Sequence, residues 1–535
     1  MIIHPTTWGC MNNYQDSEEI DSIGIVGAGD AGLFAALALE KGLEDVDVFI
    51  VDDFSEPVPQ VGKSTLRYVL TFLHDRLEIS QPRLLEEVKL AFKTTVYLED
   101  WCGQEFHSPL GKPIPTVQQA DLSPAIEPTV HQETLTKTNE AVFDEFYYRY
   151  HEDEFTTLYN ELAETPGKSP MVIDPQNISN IQKGLPDAAY HFDATGLNQF
   201  LRTICAERGI ELIDDRLTEI EIADGQIDRL ESEDSTYEAD LYVDASGFRR
   251  LLMSELDNPL QEFDLPVDSA VVATTDIDMS DVTSATVVTS GDAGWFWQID
   301  TIELRDLGYV YSSDHISDED ALTEFIETRD EPIDPDEVRQ YRFDSGVLET
   351  PWKGNCVAIG NAVGFVEPLQ STALTTSARL ADRLAMFLGM HGRVNHQGVR
   401  DLYNETTHAT WEEVYDFVSL YYKYNSGTTP FWEDAREVHP EPIQHVETYR
   451  ASGFCAPETR AGLTRTRTDL NNYYLYYLVL HGLGVESPFY ENLEHEPDPA
   501  VLERIEEYTD SVFDRLDDCL SYDEVYGVFH PGFKT

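Results

Sequence analysis

A glycine fingerprint near the start of the chain constrains the fold more than any other segment. Residues 23–26 (IGIV) read as a buried strand, residues 27–32 (GAGDAG) follow as a turn, and residues 33–39 continue as an apolar helix. A second strand, residues 46–51, ends at Asp52. A plain glycine-rich turn would not need this order, which instead predicts a dinucleotide site in a βαβ unit. The residues assigned to it are Gly27, Gly29, Asp30, Ala31, Gly32 and Asp52.

Each fingerprint residue has a mechanical role in such a site. The first glycine permits the tight turn, the second lets the backbone approach a pyrophosphate, and the third lets the helix pack on its strand. Asp52 ends the second strand, where it could accept a ribose hydroxyl. The fingerprint alone does not distinguish NAD from FAD.

Two later strand ends favour FAD. Residues 241–247 (LYVDASG) close one strand, and residues 355–372 (NCVAIGNAVGFVEPLQST) begin as another that breaks at Gly360. A strand that ends in glycine and leads into a helix start can present backbone N–H groups to an anion. Two returns to the cofactor suit a glutathione-reductase-like FAD domain better than a single-pass NAD domain. The further residues assigned to the cofactor at this point are Leu217, Asp244, Gly247, Gly360 and Asn361.

The charge balance constrains the setting of the protein. Among 535 residues, Asp and Glu number 100 and Lys and Arg 36, which gives a formal net charge of -64 spread along the whole chain. Such a surface would repel nucleic acid and anionic membranes. Molar salt screens its self-repulsion, so the composition predicts the high-salt cytoplasm of a halophile.

Cysteine spacing and hydropathy point to the same compartment. The six cysteines form no CxxC pair, so the spacing indicates neither a disulfide framework nor a metal site. The chain has no apolar run long enough for a transmembrane helix, and its first residues (MIIHPTTWGC) do not resemble a signal peptide. A reduced protein of the cytoplasm is therefore expected.

The predicted fold class is α/β (α+β): an FAD-binding Rossmann domain with an inserted β-sheet substrate domain and a helical C-terminal region. Seven segments are expected: a polar arm at 1–20, FAD-binding segments at 21–110, 191–250 and 341–390, a substrate-side insertion at 111–190, a β-sheet substrate domain at 251–340, and the helical region at 391–535.

Several longer motifs carry a family resemblance. They include AFKTTVYLEDW at 91–101, HFDATGLNQFLR at 191–202, GWFWQI at 294–299, NCVAIGNAVGFVEPLQST at 355–372, and DFVSLYYKY at 416–424. In these motifs, and in their order from the fingerprint to about residue 432, the chain resembles the flavin-dependent tryptophan halogenases.

The resemblance implies a reaction. Reduced FAD, supplied by a separate reductase, would react with O2 and with chloride or bromide to give hypohalous acid. The acid would cross a tunnel to a lysine that holds it or is halogenated by it, and the halogen would pass to an aromatic ring such as tryptophan or an indole. A homodimer is compatible with this expectation.

The resemblance also assigns site residues. Lys93 matches the family's lysine, and its apolar neighbours would lower its pKa by desolvation. Gln370 stands where the family carries a glutamate. Because an amide cannot act as a base, this replacement predicts weakened or redirected activity. Thr372 and Ala373 match the halide positions, where Ala373 would be strained if the site needs a positive φ. Lys63 and Ser64 match positions near the flavin and are assigned to the cofactor, and the substrate side is assigned His107, Leu110 and Ser371.

Three departures leave alternatives open. Asp300 replaces the proline of the family's WxWxIP signature, Lys63 replaces a glutamate near the flavin and would raise its reduction potential if it faced the ring, and Gln370 replaces the glutamate. These changes motivate a second hypothesis, an FAD-dependent aromatic monooxygenase with direct substrate access to the flavin. A third is a flavin-binding protein without halogenase activity, in which Lys93 would be exposed to solvent.

Overall fold

The structure is a computed structural model that describes residues 18–55, 62–110, 156–174, 177–183, 188–329, 331–438, 446–447, 450, 473–487 and 499–529. Most of the predicted arm at 1–20 lies outside these residues, as do residues 111–155 of the predicted insertion and residues 451–472 of the predicted helical region.

A six-stranded sheet forms the base of the cofactor half. The first five strands are parallel and the last is antiparallel. In spatial order the strands are Glu211–Asp214, Asp47–Asp52, Ser22–Val26, Leu241–Asp244, Cys356–Ala358 and Trp352–Lys353. Parallel strands are covered on both faces, which explains why the central ones are apolar and buried. The ends of strands from three distant parts of the chain therefore meet at one edge.

Two helices cover this sheet beside the fingerprint. The fingerprint helix, Asp30–Gly42, starts directly after the turn and buries nine of its residues, because Ala and Leu repeat along it. The helix Thr372–Met390 packs against it, and at Gly42 an added Cβ would lie 3.1 Å from the Cβ of Ala385. The close packing ties the 355–372 segment to the fingerprint.

A seven-stranded sheet forms the second half. Its strands are antiparallel to their neighbours except for one parallel pair, Thr95–Trp101 with Ala285–Ser290. In spatial order they are Arg339–Arg342, Ser269–Asp276, Leu304–Tyr311, Gly294–Asp300, Ala285–Ser290, Thr95–Trp101 and Gln104–Pro109. The aromatic strand Gly294–Asp300 is central and buried. Two strands from before residue 110 thus join a sheet built mainly from residues after 269.

A small antiparallel sheet lies between the two halves, and one of its strands ends at Lys93. Its strands are Lys63–Ser64, Ala189–Phe192 and Leu90–Lys93, in that order. The outer edge of Leu90–Lys93 is covered by the helix Tyr522–Phe529. The Tyr522 hydroxyl accepts a bond from the Phe92 amide at 3.0 Å, and the Tyr526 hydroxyl donates one to the Leu90 carbonyl at 2.6 Å. These hydroxyls satisfy backbone groups that an edge strand would leave open.

The remaining strands form short sheets at the periphery. They are Leu217–Ala223, Gln226–Ser232 and Thr236–Tyr237; Leu260–Glu262, Gly346–Leu348 and Gly364–Phe365; Glu18–Glu19 with Val394–Asn395; and Met171–Asp174 with Asn177–Lys183.

Helices dominate the described chain after residue 371. Its helices, besides Thr372–Met390 and Tyr522–Phe529, are Gln397–Lys423, Pro430–Val438, Tyr473–Gly482 and Pro499–Asp518. The shorter or earlier α-helices are Tyr68–Leu70, Gln81–Glu87, Leu158–Ala163, Ala194–Glu207, Leu251–Glu255 and Asp318–Glu327. No helix within the described ranges combines the length and the apolar character needed to cross a membrane. This mixed architecture confirms the predicted fold class.

Candidate active site

The fingerprint loop has the shape that a diphosphate requires. Gly27 has φ +107°, and a Cβ there would lie 2.5 Å from the Ala245 carbonyl oxygen. A Cβ on Gly32 would lie 2.0 Å from the Gly27 carbonyl oxygen, so both positions need glycine. At Gly29 an added Cβ would meet nothing within 4 Å. The loop is therefore closed against its own sheet and open at the position where a ligand approaches.

Asp52 lies beside this loop and helps to hold it. One carboxylate oxygen accepts the Ala28 amide at 2.8 Å, and the other accepts the Asp53 amide at 3.0 Å. A carboxylate has acceptor capacity beyond these two bonds. The ribose contact expected from the sequence stays a prediction.

Asp30 and Lys63 form an ion pair at the start of the fingerprint helix. The second oxygen of Asp30 accepts a bond from the Asn198 side chain at 3.1 Å, and the same amide group donates to the Ala28 carbonyl at 3.0 Å. Ser64, next to Lys63, bonds the Thr286 hydroxyl at 2.7 Å. Asp30 therefore compensates the charge of Lys63, and the effect of Lys63 on the flavin potential expected from the sequence stays a prediction.

The two later segments reach the same edge of the sheet. Asp244 is buried and accepts the Leu252 and Met253 amides, both at 2.9 Å, so its carboxylate fixes the helix that follows. Burial raises the pKa of Asp244. Gly247 has φ +68°, and Gly360 has φ +66° with only 2.5 Å between its added Cβ and the Cβ of Ala31. Glycine is thus required where the third segment touches the fingerprint.

Two other assigned cofactor residues lie in this half. Asn361 is half-buried in the turn Gly360–Ala362, and Leu217 is half-buried at the start of the strand Leu217–Ala223. The open position at Gly29, the close approach at Gly360 and the convergence of three strand ends fit FAD. The residues that would hold it are those of the fingerprint loop together with Asp52, Lys63, Gly247 and Gly360.

Lys93 ends the strand Leu90–Lys93 and is fully buried. Its Nζ donates to the Ser371 hydroxyl at 2.8 Å. Desolvation lowers the pKa of the Lys93 amine well below its ordinary value. A buried lysine of this kind can act in two ways. As a neutral amine it is nucleophilic, and in either protonation state it can donate a hydrogen bond.

The segment Leu369–Ser371 has an unusual backbone. Gln370 and Ser371 both have positive φ, +66° and +59°. This left-handed conformation costs free energy for residues with a Cβ, and such strain is often found at active sites. The Gln370 amide donates to the Tyr421 hydroxyl at 2.6 Å, and both side chains are buried. The strain thus turns Gln370 toward Tyr421 and Ser371 toward Lys93.

Thr372 and Ala373 begin the helix Thr372–Met390. Thr372 is buried and Ala373 is half-buried. Ala373 is helical and its carbonyl accepts the Ser377 hydroxyl at 2.9 Å. The backbone strain expected at Ala373 is therefore absent there and falls instead on Gln370 and Ser371, which precede the helix. The N–H groups at the start of the helix can face a halide.

Glu367 is a buried acid that the sequence reasoning did not assign. Its carboxylate accepts the Trp295 indole N–H at 3.1 Å, the Tyr422 hydroxyl at 3.3 Å and the Leu369 amide at 3.2 Å. Burial raises its pKa to about 8 despite these three donors. The sequence signal for Glu367 is that it is a carboxylate in an otherwise uncharged segment. The sequence alone could not identify its partners, because Tyr422 and Trp295 lie 55 and 72 residues away.

The tryptophan strand explains two further residues. Trp295 and Trp297 are buried with ring centroids 5.9 Å apart. Asp300 is fully buried and pairs with Arg305 at 2.8 Å, while its second oxygen accepts the Thr283 amide at 3.0 Å. The proline position of the family signature is thus taken by a partnered acid that fixes the end of the strand.

Two of the three assigned substrate residues, His107 and Leu110, lie on and just after the strand Gln104–Pro109. His107 stacks on Tyr97 with centroids 4.4 Å apart and bonds Glu164 at 3.0 Å. The Leu110 amide donates to the Thr94 carbonyl at 2.9 Å, directly after Lys93 in the chain. Leu110 is therefore beside the lysine strand. The ring of His107 uses one face for Tyr97 and Nε2 for Glu164, while its Nδ1 is buried without a partner within the described part of the chain.

Comparison with known proteins agrees with this geometry. Residues 22–498 match the family described as tryptophan halogenase. The chain is 27% identical to tryptophan 7-halogenase RebH of Lentzea aerocolonigenes, over 93% of this chain and 96% of that protein. It is 28% identical to tryptophan 6-halogenase SttH of Streptomyces toxytricini, over 78% and 81%.

Solved structures share the fold. The flavin-dependent halogenase BrvH from Brevundimonas sp. BAL3 superposes with a TM-score of 0.76 at 25% identity, covering 95% of this chain and 99% of that one. The resemblance drawn from the motifs is confirmed, as are the enzyme class and the requirement for FAD, O2 and halide. The chain belongs to the tryptophan halogenase family of flavin-dependent halogenases.

Proposed function

We propose that this protein chlorinates or brominates an electron-rich aromatic ring, tryptophan or another indole, and that Lys93 handles the oxidant. The observation that carries the proposal is the fully buried Lys93 amine bonded to Ser371, next to Gln370. The names of the relatives, which act on tryptophan, support the substrate class.

The residues around Lys93 suit the handling of hypohalous acid. Bound reduced FAD would supply that acid from O2 and halide. Lys93 can donate a hydrogen bond to it, or, as a neutral amine, accept the halogen and pass it to the ring. Ser371 orients the amine, and the surrounding apolar residues exclude water, which would otherwise consume the oxidant. These roles need a buried lysine, and a buried lysine is observed.

Gln370 limits the last step of the reaction. After the halogen adds to the ring, the ring carbon must release a proton. An amide cannot accept this proton, so water or a neighbouring carboxylate has to do so. We therefore expect the halogenation to have a low kcat but not to be abolished.

The two alternatives are less well supported. A flavin protein without halogenase activity would leave Lys93 exposed, but Lys93 is 0% exposed. A monooxygenase was suggested by Asp300, Lys63 and Gln370. The charges of Asp300 and Lys63 are used within the protein, in pairs with Arg305 and Asp30.

The experiment is a Lys93→Met substitution, which keeps the volume and removes the amine. We expect halogenated product to fall about 10²–10⁴-fold, the range for a positioned acid–base group, with unchanged FAD affinity. Lys168→Met serves as a matched control, because Lys168 is half-buried and its amine donates to the Cys519 carbonyl, away from Ser371 and Gln370 in the chain. Wild-type product yield from Lys93→Met would refute the role of Lys93.

The cellular setting is a further part of the proposal. The net charge of -64 supports a high-salt cytoplasm, in which a separate flavin reductase would provide reduced FAD. A homodimer remains part of the hypothesis. Activity that increases from low to molar potassium salt would support the setting, and inactivation by molar salt would contradict it.

A further inference from the structure

We propose that Lys63 and Asp30 form an electrostatic clamp that sets the affinity for FAD through its diphosphate. Asp30 is the first residue of the fingerprint helix, and its carboxylate is only 6% exposed. A helix start attracts anions through its free N–H groups and its dipole. Asp30 places a negative charge at that start, where the diphosphate would have to bind.

Lys63 offsets this unfavourable charge. Its Nζ pairs with one oxygen of Asp30, and its side chain is 18% exposed, so the ammonium group is not sealed away from a ligand. An ammonium group has three donors, and one bond to Asp30 leaves others for a phosphate oxygen. Lys63 can therefore bridge Asp30 and the diphosphate, which Asp30 alone would repel.

The surroundings fix Asp30 and leave a donor unused. Asn198 holds the second oxygen of Asp30 at 3.1 Å and the Ala28 carbonyl at 3.0 Å, so the carboxylate cannot turn away from the loop. Arg202 lies over the Phe54 ring at 4.3 Å, and its Nε is buried without a hydrogen-bond partner within the described part of the chain. An oxygen of the cofactor would supply the missing acceptor.

The net charge of the chain makes this clamp more important. With -64 overall, the protein repels an anionic cofactor at low salt, and local cations at the site must outweigh that repulsion. Salt screens the long-range repulsion more than the half-buried contact. The fold-change in the Kd for FAD that Lys63→Gln causes should therefore persist from low to molar salt.

The test compares three variants by fluorescence titration of FAD, without any measurement of activity. Lys63→Gln leaves Asp30 unopposed, and its Kd for FAD should rise about tenfold, as for the loss of a charge-assisted hydrogen bond. Asp30→Asn keeps the Asn198 contact and frees Lys63, so its Kd should fall about threefold. The double variant should return to within about threefold of the wild type.

Two controls separate the clamp from general effects. Riboflavin, which lacks the diphosphate, should bind the wild type and Lys63→Gln equally. Lys41→Gln removes the same charge at the other end of the fingerprint helix, where Lys41 pairs with Glu78 at 2.6 Å, and it should leave the Kd for FAD unchanged.

The proposal can be tested because the two single variants should change the Kd for FAD in opposite directions. If the pair only shaped the loop, Asp30→Asn and Lys63→Gln would both weaken FAD binding. That result, an unchanged Kd in Lys63→Gln, or equal weakening for riboflavin would overturn the proposal. None of these outcomes depends on Lys93 or on halogenation.

Discussion

Two regions of the molecule are built in different ways: the fingerprint loop, residues 27–32 with Asp52, and the Lys93 junction, residues 367–373 with Lys93. The turn of the loop is fixed within one βαβ unit, where the Gly27 amide donates to the Val51 carbonyl and the Ala28 amide donates to Asp52. Asn198 adds a bond to the Ala28 carbonyl from outside this unit. The junction is held by side chains that come from far away, including Lys93, which is 278 residues from Ser371. Local rules determine the first region, and tertiary assembly determines the second.

Strain is also distributed differently. In the loop the positive φ falls on glycine, which adopts it at little cost. In the junction it falls on Gln370 and Ser371, whose side chains are the ones that contact Tyr421 and Lys93. The loop therefore relies on missing side chains, while the junction relies on side chains held in a costly conformation.

The largest expected effect breaks the loop. Gly32→Ala would place a Cβ 2.0 Å from the Gly27 carbonyl oxygen, so we expect a loss of about 3 kcal/mol in the free energy of unfolding, together with the loss of FAD binding. Gly29→Ala, with nothing within 4 Å of the new Cβ, should leave stability within about 0.5 kcal/mol. Urea unfolding measures both. Equal destabilisation by the two changes would contradict the description of the loop.

An intermediate effect sharpens the description of the junction. Gln370→Glu supplies a base that can accept a hydrogen bond from Tyr421, and we expect kcat for halogenation to rise about 10- to 100-fold. Because burial would raise the pKa of the new acid, the gain should increase with pH. Gln370→Leu, which has neither base nor amide, is the control. A gain in the leucine variant, or none in the glutamate variant, would refute the role assigned to this position.

The smallest effect concerns Glu367. Its pKa in the folded protein is about 8, against an ordinary value of 4.5, so between these values the folded state keeps a proton that the unfolded state has released. The stability from this proton is complete below the lower value and is lost as pH rises through the upper one. Glu367→Gln removes the titrating group, so the free energy of unfolding of this variant should fall less as pH rises through this range.

The measurement for Glu367 is the unfolding temperature at several pH values. Relative to the wild type, Glu367→Gln should gain about a few degrees between pH values near 5 and near 9. Glu405→Gln changes an exposed glutamate on the helix Gln397–Lys423 and serves as the control. Parallel curves for Glu367→Gln and the wild type would show that Glu367 does not titrate in this range.

The sequence predicted the loop in detail because its rules are local. The spacing of Gly27, Gly29 and Gly32 requires a strand before it and a helix after it, and both are present. The family resemblance also led to Lys93 and Gln370. It could not give the bond of Gln370 to Tyr421 or the bond of Trp295 to Glu367, because hydrogen bonds between distant side chains leave no spacing pattern in the chain. The ion pair of Lys63 with Asp30 was missed for the same reason.

The most direct test of the central claim is product analysis with the wild-type enzyme. Tryptophan and indole are incubated with the enzyme, FAD, a flavin reductase and O2 in molar potassium acetate, with and without bromide or chloride, and the products are identified by mass spectrometry. The account predicts a halogenated ring that appears only when halide is present. An oxygenated product formed equally well without halide would contradict it.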